Sequence, residues 1–170
     1  MTEQGTRIRR HVESTPGVHF NALVRGLDLA PGQVQYHVRN LLADDRLVSE
    51  QLYGKTHYYP PEYDDWERGA VALLRRETAR DVLVSLLEAG EARPADLVDD
   101  LDIARSTLSW HVGHLEEQGL VEKRRDERNH VTLVPTRPEE TARLLGVIEP
   151  SLPERMVDRF TRLVDDLLAE

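Results

Sequence analysis

Cysteine is missing from all 170 residues, which excludes disulfides, thiolate metal sites and cysteine nucleophiles together. A chain without it suits a reducing compartment. No apolar run approaches the roughly 20 residues of a membrane span, and the opening MTEQGTRIRR lacks the apolar stretch of a signal peptide. The expectation is a soluble cytoplasmic protein with no membrane contact. Catalytic signatures are missing too: there is no phosphate-cradling glycine loop, no HExxH and no serine in a nucleophile elbow. The carboxylate pairs Asp44-Asp45, Asp99-Asp100 and Asp165-Asp166 are adjacent in sequence, so on a helix their side chains diverge and read as solvated faces. No catalytic residue, metal site or cofactor is expected, and the enzyme class is set aside.

Lysine is nearly absent. Of the 22 lysines and arginines only Lys55 and Lys123 are lysine. The balance is acidic, with a net charge of -9, and an acidic, lysine-poor surface resembles that of halophile proteins, although a high-GC genome also favours arginine. Acidity argues against a nucleic-acid partner unless the cations are concentrated in one place. The hydrophobic share is lean at 39%, but it is patterned, so the chain reads as folded. Its length fits one ordinary domain or two small ones.

An internal repeat favours two. Shifting the chain by about 74 residues lays LVRGLDLAPGQVQYHVRNL (23–41) on LVDDLDIARSTLSWHVGHL (97–115). Leu23, Leu27, Asp28, His37, Val38 and Leu41 recur as Leu97, Leu101, Asp102, His111, Val112 and Leu115. After one extra residue in the first copy, Leu47-Val48 matches Leu120-Val121.

Each copy holds a short helical pattern, a tight turn and a second helical pattern. The second pattern carries Val34, Val38, Leu41 and Leu42 in one copy and Leu108, Val112 and Leu115 in the other. Pro31 suits a first helical turn, and Ser106 or Asp102 is a candidate cap for the equivalent helix. The period then changes. LVSEQLYGKTHYY (47–59) and GLVEKRRDERNHVTLV (119–134) read as β-hairpins turning at Gly54-Lys55 and at 126–129. A further helix precedes each unit, over 8–14 and 78–89, and PPEYDDWERG (60–69) links the two. Near the end, Met156, Phe160, Leu163 and Leu167 step by four, three and four, a short seam that either packs on the chain itself or pairs two chains. The expected fold class is mainly α with small β-hairpins: a first domain over 1–65, a linker helix and second domain over 66–136, and a C-terminal helical segment over 137–170.

The segment STLSWHVGHLEEQGLVEKRRDERNHVTLV (106–134) resembles the winged helix-turn-helix transcriptional regulators of the ArsR and MarR type. About two thirds of the chain shares that likeness. It implies two tandem winged helix-turn-helix domains, with the second helix of each turn motif in the major groove of double-stranded DNA and the hairpin, or wing, on the flanking backbone.

The residues agree on which face is free. If Leu108, Val112 and Leu115 turn inward, Ser106, Thr107, Ser109, Trp110 and His114 turn outward, within reach of base edges or phosphates. The matching face of the first copy is Gln33, Gln35, Tyr36, Arg39 and Asn40, where glutamine and asparagine suit adenine and arginine suits guanine. The wings add charge, strongly through Lys123, Arg124, Arg125, Arg128 and His130 and weakly through Lys55 and His57.

Other readings stay open. KRRDER also fits a hairpin tip that neutralises itself, and Tyr36 and Trp110 also fit packing beneath the wing. His111 and His114 stand three apart as a metal pair would, yet lack further ligands. Tyr58, Tyr63 and Trp66 read as packing between domains, and no effector pocket is identifiable. The acidic balance also fits a tandem winged-helix scaffold that binds protein in a transcription or chromosome-organisation complex.

Overall fold

The computed structural model describes residues 2–148 and 164–169. It divides into two compact units, one running through Ala72 and the other starting at Leu73.

In the first unit, α1 (Glu3–Ser14) is capped by Thr2, whose Oγ1 accepts the Gly5 N–H at 3.0 Å. Ile8 and Val12, four apart, turn its apolar stripe inward. After β1 (Val18–His19) come α2 (Phe20–Leu27) and α3 (Pro31–Ala43), with Pro31 at the helix start, where a missing N–H costs nothing. β2 (Val48–Leu52) and β3 (Lys55–Tyr59) close the unit as an antiparallel sheet ordered β1-β3-β2. Leu23, Val34, Val38, Leu41 and Leu47 meet Ile8 and Val12 in one core.

α4 (Asp65–Leu74) carries the chain across the division. In the second unit α5 (Glu77–Ala89) is followed by α6 (Pro94–Leu101), α7 (Arg105–Glu117) and the hairpin of β4 (Val121–Arg125) and β5 (Val131–Pro135). A bridge between Ala92 and Leu133 adds a rudimentary third strand. α8 (Pro138–Ile148) buries Ala142, Leu145 and Ile148 on one stripe. The order helix, turn, helix, hairpin thus occurs twice, and the mainly helical class with small hairpins is the one observed.

The repeat extends to the hydrogen bonds. The αα turns both pass through a left-handed aspartate, Asp28 at φ 52° and Asp102 at φ 51°. α3 and α7 end alike: the Arg46 N–H reaches the Leu41 carbonyl and the Leu120 N–H the Leu115 carbonyl, each at 2.9 Å. The residue before each closing bond has positive φ, Asp45 at 55° and Gly119 at 76°, as a helix C-terminus of this kind requires.

Some details depart from expectation. Neither Ser106 nor Asp102 caps α7; its N-cap is Ala104, with no side-chain hydrogen bond, and Asp102 instead ends α6 because an aspartate tolerates the left-handed turn. The first hairpin turns at Tyr53-Gly54, one residue early, since Leu52 pairs with Lys55 and both turn residues take positive φ (53° and 80°). Of the C-terminal seam, Met156, Phe160 and Leu163 lie outside the described residues, while Leu167 is half-buried in the helical stretch 164–168.

Candidate nucleic-acid interface

α3 and α7 place their side chains by the same rule. Each turns a three-residue stripe inward, Val34, Val38 and Leu41 or Leu108, Val112 and Leu115, which at 3.6 residues per turn leaves the opposite face to solvent. On α3 the exposed ridge is Gln33, Gln35, Tyr36, Arg39 and Asn40. Gln33 is partly occupied, its Oε1 accepting the Ala30 N–H at 3.3 Å and so satisfying one donor of the helix start. On α7, Ser106, Ser109 and Trp110 are exposed, while Thr107 and His114 are half-buried.

Two aromatics stand out on these ridges. Tyr36 is 61% and Trp110 52% exposed, and among the described residues the only other large hydrophobic left so open is Leu168. They occupy equivalent positions of the repeat, and neither is buried beneath a wing. Each sets its ring edge-on to the histidine that follows, Tyr36 to His37 at 5.1 Å and Trp110 to His111 at 4.8 Å between centroids. Trp110 is further braced by His114 at 4.3 Å and by the Arg76 guanidinium, 5.6 Å from the ring centroid.

The second wing is partly self-neutralised, residue by residue. Arg124 pairs with Glu122 at 2.7 Å, and Lys123 approaches Glu116 at 3.9 Å. Asp126 shapes the hairpin tip: its Oδ1 accepts the N–H groups of Arg128 and His130, each at 2.9 Å. Those bonds, led by the one from His130, hold the Asp126 carboxyl below its usual pKa. Arg125 donates to Asn129 Oδ1 at 3.1 Å. Among the described residues no carboxylate pairs with Arg125 or Arg128, so these two cations are the ones the wing leaves for an outside anion.

The first wing is weaker still. Lys55 is exposed at the hairpin turn, but His57 is only 7% exposed and turns inward, with its Nδ1 2.7 Å from the Gly17 carbonyl oxygen. Its expected place on the binding face is therefore corrected. Alternation alone does not bury it: β3 buries three residues in a row, His57, Tyr58 and Tyr59, so both of its faces are covered, and Tyr58 rather than His57 takes the place of Leu133, since Val18 pairs with Tyr58 as Ala92 does with Leu133. Tyr58 likewise belongs to the first unit's core, and Tyr63 lies 6.0 Å from Tyr59 within that unit.

Several histidines are held in the neutral direction. Burial lowers the pKa of His11; burial, then Lys55, His57 and Arg25, lower that of His19; burial, then Arg76 and His114, lower that of His111. Among the described residues no three metal-ligating side chains converge, so His111 and His114 remain a pair.

Three features escaped the sequence reading. Arg76 and Thr2 are equivalent under the 74-residue shift, and each N-cap touches the second helix of its turn motif, Arg76 at Trp110 of α7 and Thr2 through a 3.3 Å contact of its Oγ1 with His37 Nδ1 of α3. The repeat register held that signal, had it been followed upstream of Leu23. The third is a groove in each unit between the second helix of the turn motif, α3 or α7, and the hairpin that follows it. In the second it brings Ser109 together with Lys123 and Arg125, and in the first Gln35 and Arg39 with Thr56.

Comparison with known proteins agrees with this geometry. Residues 2–71 match a family described as an N-terminal HTH domain, and residues 76–123 match the bacterial regulatory proteins of the arsR family. An uncharacterized HTH-type transcriptional regulator of Methanocaldococcus jannaschii is 24% identical over 124 residues. That match covers 73% of this chain but 31% of the relative, so the chain spans about a third of the length of the curated protein it matches. Among the described residues, no helix is long and apolar enough to cross a membrane.

Proposed function

Starting from a chain that is a winged helix-turn-helix protein with one such domain in each half, the second of the ArsR type, we propose that it binds double-stranded DNA and regulates transcription. α3 and α7 are the helices that enter the major groove, and the wings follow the backbone. Base edges are read by Gln35, Arg39 and Asn40 from the first ridge and by Ser106, Thr107 and Ser109 from the second, with Tyr36 and Trp110 against sugar or thymine methyl groups. Gln33 and His114 flank these contacts. Lys55 in one wing and Lys123, Arg124, Arg125 and Arg128 in the other take phosphates, with Arg125 and Arg128 foremost because neither is paired with a carboxylate.

One observation carries the reading: two repeat-equivalent helices each bury an apolar stripe and leave an aromatic more than half exposed in an otherwise polar ridge. A single exposed aromatic needs no explanation, but its recurrence at the same register of both copies fits a contact surface that the two helices share. The net charge of -9 favours the other reading, a protein-binding scaffold, and one experiment separates them. Selection from a randomised duplex library by the full chain, followed by titration of the winning sequence at two salt concentrations, should give sequence-selective retention that weakens with salt. No enrichment, at any salt, would end the DNA reading and leave the scaffold.

A further inference from the structure

The two grooves between recognition helix and wing differ in a way their shared origin does not explain. The groove in the first unit has a volume of about 440 Å³, its counterpart about 160 Å³. Only the first falls in the size range of small-molecule sites, roughly 300–1,000 Å³. The repeat supplies the reason. Phe20, Arg39 and Leu42 stand where the second copy has Pro94, Gly113 and Glu116, and the second groove is rimmed by Lys123 and Arg125.

The lining of the larger groove specifies an occupant. Its floor is apolar, made by Phe20, Val38, Leu42 and Tyr58. Its rim holds two neutral hydrogen-bonding groups, Gln35 and Thr56, and a single charge, Arg39. Among the described residues no carboxylate lines the groove and none pairs with Arg39. An apolar bed with one unmatched guanidinium suits an amphipathic molecule bearing one carboxylate, because a guanidinium binds a carboxylate through paired, charge-assisted hydrogen bonds.

We propose that this groove is an effector site for a small monocarboxylate with an alkyl or aryl body, and that its occupation releases DNA. The second half of the proposal rests on the DNA reading, since Gln35 and Arg39 are shared between the groove and the base-reading ridge. A ligand that ties down both removes them from the bases, and by linkage DNA must weaken the ligand by the same factor.

Calorimetric titration of the full chain with octanoate, phenylacetate and octanamide tests the site without reference to DNA. The carboxylates should bind saturably, one per chain, and octanamide about tenfold more weakly than octanoate. Leu42→Trp, which fills the floor, should abolish binding, and Arg39→Met should erase the preference for carboxylate over amide. On duplex DNA followed by fluorescence anisotropy, octanoate should weaken the wild-type complex and leave the Leu42→Trp complex unchanged. Absence of saturable carboxylate binding, equal binding of the amide, or an undiminished response in Arg39→Met overturns the site. The last criterion decides the matter should Leu42→Trp fail to fold. Carboxylate binding by a chain that retains no duplex would sink the DNA reading while the site survives; duplex binding unaffected by a bound carboxylate would sink the coupling alone.

Discussion

At Asp45 the repeat provides its own control. Asp45 and Gly119 end equivalent helices with the same hydrogen bonds and the same positive φ, yet only glycine takes that conformation without steric cost. Asp45→Gly should therefore stabilise the chain, by about 0.5–1 kcal/mol after the extra freedom of the unfolded glycine is offset. Gly119→Ala should destabilise by a comparable amount, and urea unfolding of the full chain measures both. The histidines give a pH dependence of definite sign. Burial holds His11, His19 and His111 below the ordinary imidazole pKa of 6.5, so near that pH the unfolded chain binds more protons than the folded one. Stability is then fully present above pH 6.5 and falls as the pH drops through 6.5 toward the folded values. Thermal melts should show a lower midpoint at mildly acid than at neutral pH, and His111→Gln should flatten part of that slope. His19 has a further reason to resist protonation, because its Nδ1 accepts the Ala22 N–H at the start of α2.

At the scale of the element, the second wing has cations of unequal worth. Arg124 is already matched to Glu122, whereas Arg125 and Arg128 face no carboxylate among the described residues. Arg125→Ala and Arg128→Ala should each lower the slope of log affinity against log salt by about 1 and weaken binding to all sequences alike; Arg124→Ala should do less. Equal slopes for the three variants would mean that the Glu122 pair opens on binding. KRRDER alone makes the arginines look alike, but the ranking was within reach of the sequence: Glu122 and Arg124 stand two apart on β4 and so share one face of the strand. The recognition ridges were legible, because an apolar step of four and three fixes which side of a helix faces in, and all five residues expected on α3 are exposed. His57 was misread for the complementary reason. Alternation predicts one covered face, whereas β3 is buried over three successive residues, and His57 is held against the Gly17 carbonyl beside β1, a two-residue strand too short to announce itself. Caps were the other weak point. Serine and aspartate near a helix start suggest one, but the chain places alanine at both N-caps, Ala30 and Ala104, and spends its aspartates on left-handed turns.

For the whole molecule, the acidic balance and the localised cations set a division of labour between wing and ridge. Counterion release gives a wing its affinity at low salt, and near 1 M, where charges are screened beyond about 3 Å, that contribution largely vanishes. In the proposed binding mode, the hydrogen bonds of Gln35, Asn40 and Ser109 and the apolar contacts of Tyr36 and Trp110 involve no ion pair and should persist. A chain carrying -9 net charge is repelled by DNA at low salt and loses that repulsion as salt rises, so its affinity should fall less steeply than the cations of the wing alone imply. Anisotropy titrations across a wide salt range therefore have a distinct expected form. Arg125→Ala and Arg128→Ala should fall below wild type at low salt and converge on it at high salt. Trp110→Ala and Gln35→Ala should run below wild type throughout, each by about 1–3 kcal/mol where a base contact is lost. If the ridge variants converge on wild type at high salt as the wing variants do, the aromatics are not in contact with DNA, and the two helices serve only to hold the wings in place.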